Sequence, residues 1–163
     1  MNKFGSIIYL KFFCFLLAVL FLTACAGHNT PPTIAYEQEK FESNFDDINT
    51  IVKYMIDLGY KDILITDTSG TMLANLTCVE INNSDVMDAV SRALETYIKI
   101  SKNGNTIKLF QWRGIRDIGC GIAYSIDGIN KPQIQFVTEL IPLAEDGWFY
   151  YVSDYNKWRS MYG

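Results

Sequence analysis

The sequence predicts an α+β domain, an antiparallel β-sheet of about five to six strands with helices packed on one face. Three observations point there. Two stretches, residues 34–58 and 84–100, carry apolar side chains at helical spacing. Between them, two β-prone apolar runs flank a polar turn that ends in Gly70. Beyond Gly104 the chain reads as four short strands separated by turn formers, with no helix between them to make a parallel crossover. The chain has 163 residues, 49% apolar and 14% aromatic, enough for one packed core and hardly two.

The first helix begins near residue 34. Phe41, Phe45, Ile48, Val52 and Met55 share one face, with Ile51 and Leu58 beside them. Glu37, Glu39 and Glu42 lie early, where the helix dipole favours acids, and Gly59 is a natural stop. In KDILITDTSGTMLANLTCVEI the turn Asp67-Thr68-Ser69-Gly70 joins two strands as a hairpin. The second helix, 84–100, takes Asn83 or Ser84 as its cap and buries Val86, Ala89, Val90, Ala93, Leu94 and Tyr97.

Residues 105–113 form the next strand. Residues 118–126 alternate: Ile118, Cys120, Ile122, Tyr124 and Ile126 on one face, and Gly119, Gly121, Ala123 and Ser125 on the other. The small face suits close approach by a helix or a ligand, with helix packing the plainer expectation. Residues 133–143 and 147–153 make two more strands joined through Glu145-Asp146-Gly147, and Asp154 caps a short last helix carrying Tyr155, Trp158 and Met161. This order of elements, with ILITDTSGTMLA as its first hairpin, resembles PAS-like, Cache-like and roadblock-like sensor or scaffold domains.

The amino terminus reads as an export address. Lys3 and Lys11 precede Phe12–Ala24, an uncharged apolar run of 13 residues. That run is shorter than the ~20 residues a membrane-spanning helix needs. It ends in Leu22-Thr23-Ala24-Cys25, which resembles the lipobox of bacterial lipoproteins. The resemblance implies a signal peptide over residues 1–24, cleavage before Cys25, and acyl chains on that cysteine. It also implies an extracytoplasmic protein lipid-anchored at the cell membrane or outer membrane; Ala26, rather than Asp, after the cysteine fits the outer one. One acyl chain binds reversibly and two or more hold firmly, at ~0.8 kcal/mol per buried methylene. Residues 25–33, small, polar and proline-rich, make a short tether, and residues 34–163 the single domain.

The chemistry-bearing residues are few. The sole histidine, His28, lies in the tether, where it cannot hold a proton-transfer geometry, so Ser-His-Asp, Cys-His and His-containing zinc sites are not expected, nor is any metal or cofactor. Cys78 and Cys120 remain after lipidation of Cys25 and loss of Cys14, and in an oxidising compartment they are candidates for a disulfide. Asp67-Thr68-Ser69-Gly70-Thr71 after an apolar strand is similar to the first motif of the haloacid dehalogenase-like phosphotransferases, which would make Asp67 a nucleophile. Ser69 departs from that motif at the acid/base position, and the chain lacks the βαβ alternation that fold needs. Glu139, inside a strand, calls for a partner such as Arg113 or Arg116 if it is buried.

Charge narrows the partners. Loss of residues 1–24 removes Lys3 and Lys11 and no acid, leaving 12 basic against 18 acidic side chains. No nucleic-acid partner is expected of such a balance. Lys99, Lys102 and Lys108 are the only hint of a basic patch, and a solvated helix end accounts for them. The densest feature is aromatic: Trp148, Tyr150, Tyr151 and Trp158 are either a strand covered on both sides or a binding surface. The expectation is a non-enzymatic, membrane-anchored binding or accessory domain for an envelope protein or a small ligand. The alternatives are a small envelope hydrolase or phosphatase using Asp67, or an immunity or exclusion lipoprotein.

Overall fold

The computed structural model describes residues 30–114 and 118–163. The expected signal peptide, Cys25 and most of the expected tether lie outside those residues. Helix α1, Ile34–Ser43, starts at Thr33, whose hydroxyl accepts from the Tyr36 amide at 3.3 Å. Helix α2, Phe45–Asp57, follows at once. One continuous helix was the expectation; Asn44 interrupts it with φ −116° and ψ 11°, and its side-chain amide donates to the Lys40 carbonyl at 2.8 Å. Gly59, at φ +70°, ends α2 as its sequence position suggests.

Strands β1 (Asp62–Ile65), β2 (Thr71–Ala74) and β3 (Thr77–Glu80) form a meander. Helix α3, Ser84–Thr96, is capped by the Asn83 side chain, which accepts from the Val86 amide at 3.1 Å. Then come β4 (Lys99–Asn103), β5 (Thr106–Arg113), β6 (Ile118–Ser125), β7 (Val137–Pro142) and β8 (Trp148–Asp154), and helix α4, Tyr155–Tyr162. Asp154 caps α4 by accepting from the Lys157 amide at 2.9 Å.

Among the described residues the sheet has eight strands, in the order β3-β2-β1-β4-β5-β6-β8-β7, every neighbouring pair antiparallel. This corrects the expected five to six. Two strands were hidden. The run after Gly70 reads as one strand, but Asn75 and Leu76, at φ 46° and 68°, make a tight turn that splits it into β2 and β3. Asn75 holds that turn by accepting from the Asp62 amide at 3.0 Å and donating its own amide to the Asp62 carbonyl at 2.9 Å. The second helix was expected to run to residue 100; Tyr97 is already extended, and β4 starts two residues later. The helical spacing of that stretch overlaps the alternation of Ile98 and Ile100, and pairing with β1 and β5 on both sides decides for a strand.

Helices α1–α3 cover one face of the sheet. Phe41, Ile48, Ile51, Met55 and Ala93 meet Ile63, Ile65, Ile100, Ile107, Leu109 and Ile122 in one buried cluster. The Phe41 ring lies 4.9 Å from that of Trp148, which in turn lies 4.9 Å from Tyr124. Lys102 points into this side, 8% exposed, and its ammonium donates to the Met55 carbonyl at 2.8 Å, near the carbonyl end of the α2 dipole. Arg92 joins α3 to α2 through two bonds to Asp47, at 2.7 and 2.8 Å.

The β5–β6 pairing carries an irregularity between Phe110 and Trp112. Gly121 faces it across the ladder, and a Cβ there would collide with the Leu109 carbonyl oxygen. Gly121→Ala therefore forces the two central strands apart. The expected cost is about 3 kcal/mol, read as a lowered midpoint of urea unfolding. A midpoint within about 0.5 kcal/mol of the parent would show that the strands pass less closely than described.

Candidate functional site

The face of the sheet turned away from α1–α3 carries Lys99, Ser101, Lys108, Phe110, Gly119, Tyr151 and Ser153, aligned by the β4–β5, β5–β6 and β6–β8 registers. The expected close helix packing on the small side of β6 does not occur. Instead the Phe110 ring lies on Gly119, where an added Cβ would stand 2.5 Å from the ring.

The segment between β6 and β7 crosses this open face. Its start is tied down at Asp127, which accepts from the Ile129 and Asn130 amides, the Asn130 side chain and the Ser125 hydroxyl. The Asn130 side chain, its amide, then Ser125 hold the Asp127 carboxyl well below the usual carboxylate range. Further along, Pro132 is buried and the Gln133 amide donates to the Thr106 hydroxyl at 2.9 Å. The segment ends at Phe136, a non-glycine residue at φ +56°, whose ring packs edge-on to Tyr155 at 4.9 Å and Trp158 at 5.4 Å.

Between this segment and the sheet lies a groove of about 390 Å³. Phe110, Tyr151 and Phe136 give it aromatic walls, Ser101, Ser153 and Gln135 supply polar groups, and Lys99, Lys108 and Arg113 its cations; among the described residues no acidic side chain lines it. Lys99 and Lys108 are diagonal neighbours on paired strands, since Lys99 sits opposite Phe110 and Ser101 opposite Lys108. Lys99 lies over the Phe110 ring, 5.0 Å from its centre. Partial burial, and then the charge of Lys99, lower the affinity of Lys108 for its proton.

The residues singled out in the sequence lie as follows. Trp148, Tyr150 and Tyr151 are 4%, 3% and 2% exposed, so they are largely buried, though Tyr151 still lines the groove, and Trp158 stays half-exposed. Cys78 and Cys120 are separate thiols, one exposed on β3 and the other buried on β6. Four strands stand between theirs. At ~4.8 Å per strand step the gap is far beyond the ~6 Å between Cα atoms that a disulfide spans. Burial, and then the Glu37 charge, push the Cys120 thiol up to about 12, away from thiolate chemistry. Asp67 is an exposed turn carboxylate that accepts from the Ser69 amide at 2.9 Å, as a hairpin reading expects. Glu139 is exposed and pairs with Lys157 at 3.3 Å; Arg116 lies outside the described residues.

Glu37 was missed as a special residue. It is fully buried on α1, and the Gln111 amide, turned nitrogen-inward, donates to both its oxygens. Its spacing of four from Phe41 was the available signal, because it places both on one face. Nearby, the Tyr97 hydroxyl is buried without a hydrogen-bond partner among the described residues, and Tyr150 donates to the Pro32 carbonyl at 2.9 Å. Among the described residues no three His, Cys, Asp or Glu side chains gather as metal ligands, and no helix is long and apolar enough to cross a membrane. Compared with protein-family models, curated proteins and solved structures, the chain matches none.

Burial raises the Glu37 carboxyl from 4.5 to about 7. A carboxyl raised on folding favours the protonated fold, so its contribution is whole below pH 4.5 and is lost as the pH climbs to about 7. The loss amounts to about 3 kcal/mol. Glu37→Gln, neutral at every pH, is expected to match the parent near pH 4.5 and exceed its melting temperature at pH 8. Equal melting curves at both values would place the carboxylate in contact with water.

Proposed function

We propose that the chain is a bacterial envelope lipoprotein, acylated on Cys25, whose domain serves as a non-enzymatic binding or accessory module. The anchor half of this reading rests on Leu22-Thr23-Ala24-Cys25 at the end of an apolar run too short to span a bilayer. The binding half rests on one observation, the groove on the open face of the sheet. A concave site with aromatic walls and a few convergent polar groups is the usual form of a ligand site. The segment that roofs it is held from below by Asp127 and Thr106, so the site is formed before anything enters it. Its aromatic rim continues onto α4 through Phe136, Tyr155 and Trp158. The partner is an envelope protein or a small ligand that presents itself at the membrane surface.

Two measurements test the two halves. Cells fed a clickable fatty acid are expected to label the parent chain, and the Cys25→Ser form to lose both the label and its place in the membrane fraction. Label or membrane partition retained by the serine form removes the anchor. Hydrogen exchange of the full chain in nonionic detergent, with and without envelope extract, is expected to slow in peptides covering residues 99–110 and 134–136. Slowing confined to other peptides, or no slowing, removes the groove as the binding site.

A further inference from the structure

We propose that the open-face groove binds a small organic oxyanion, its carboxylate or phosphate held between Lys99 and Lys108 and its apolar part against Phe110 and Phe136. The inference rests on the binding reading above and specifies what that site takes.

Charge is the first reason. Lys99 and Lys108 extend from neighbouring strands on the same face, and like charges so placed repel. Neither lysine forms an ion pair or a hydrogen bond with an acid among the described residues. Lys108 is half-buried as well, so it gives up water without gaining an acceptor among the described residues. An oxyanion between the two relieves both costs. The molecule as a whole carries 18 acidic against 14 basic side chains, so a groove whose charged lining among the described residues is cationic departs from that balance.

Shape is the second. The groove floor is the Phe110 ring on Gly119, and its wall is Phe136. Phe136 sits at φ +56°, a conformation that costs a phenylalanine about 1 kcal/mol. Its ring is locked between Tyr155 and Trp158, so the aromatic wall is held in place. A flat apolar group fits against these rings while its anionic end reaches the lysines. The hydroxyls of Ser101 and Ser153 add neutral donors to the same lining.

Calorimetric titration of the full chain in nonionic detergent tests this, with benzoate and phenyl phosphate as probes and benzyl alcohol as their neutral counterpart. Benzoate or phenyl phosphate is expected to bind at least about tenfold more tightly than benzyl alcohol, and to weaken as salt rises. The source is read from which of the two anions binds better. Lys99→Gln and Lys108→Gln are each expected to weaken anion binding roughly tenfold. Circular dichroism confirms that each variant is folded; if one is not, the salt dependence of the parent chain decides.

No binding of either anion at millimolar concentration overturns the proposal, as does anion binding that neither lysine variant nor salt alters. Benzyl alcohol bound as tightly as benzoate, and lost on Phe136→Ala, overturns the anion preference while leaving the groove as a binding site. Loss of the groove itself is read separately, from the hydrogen-exchange comparison.

Discussion

Both faces of this domain depend on how β5 pairs with β6, and on the single extra residue in that pairing. Strand side chains alternate, so a ladder without irregularities would assign each face once and for all. Up to Phe110 the rule holds: Ile107 and Leu109 enter the core, while Lys108 and Phe110 face the open side. The bulge then lets Gln111 and Trp112 both turn toward the helices, and Arg113 resumes the open side. Gln111 thereby reaches Glu37, and Trp112 joins the cluster around Cys120, Tyr150 and Val152. Gly121 makes this possible, because no other residue leaves room for the bulged backbone.

The two polar features that result are opposite in kind. On the helix side a carboxyl is enclosed with an amide partner, and its neutral form is favoured. On the open side two ammonium groups lie beside aromatic rings, with no acid among the described residues that line the space. The first is satisfied within the fold. The second has no acidic partner among the described residues.

Much of the helical layer was legible in the sequence. Ile48, Ile51, Val52 and Met55 recur at helical spacing and are all buried, and Asn83 and Asp154 cap where their side chains suggest. The hairpin at Glu145-Asp146-Gly147 was equally plain, with Gly147 at φ +80°. The break at Asn44 was not, since no glycine or proline announces it. Nor was the Asn75-Leu76 turn, where a leucine occupies a left-handed position that propensity rules assign to glycine or asparagine. The groove was illegible for a related reason. Lys99 and Lys108 read as the solvated end of a helix, and they become neighbours only once residues 99–103 are a strand paired with β5. Long-range register, rather than local pattern, assembles that site.

The outer strands of the sheet have a consequence of their own. A sheet that does not close into a barrel ends in two rows of unpaired amide and carbonyl groups, to which a second chain can add. Here β3 is four residues long and ends on the charged Glu80, while β7 is broken by a shift between Val137 and Glu139 and ends on Pro142. Neither border offers a long, flat template. Copies of the domain that meet edge to edge find little to extend, and borders of this kind keep such encounters from growing into fibrils.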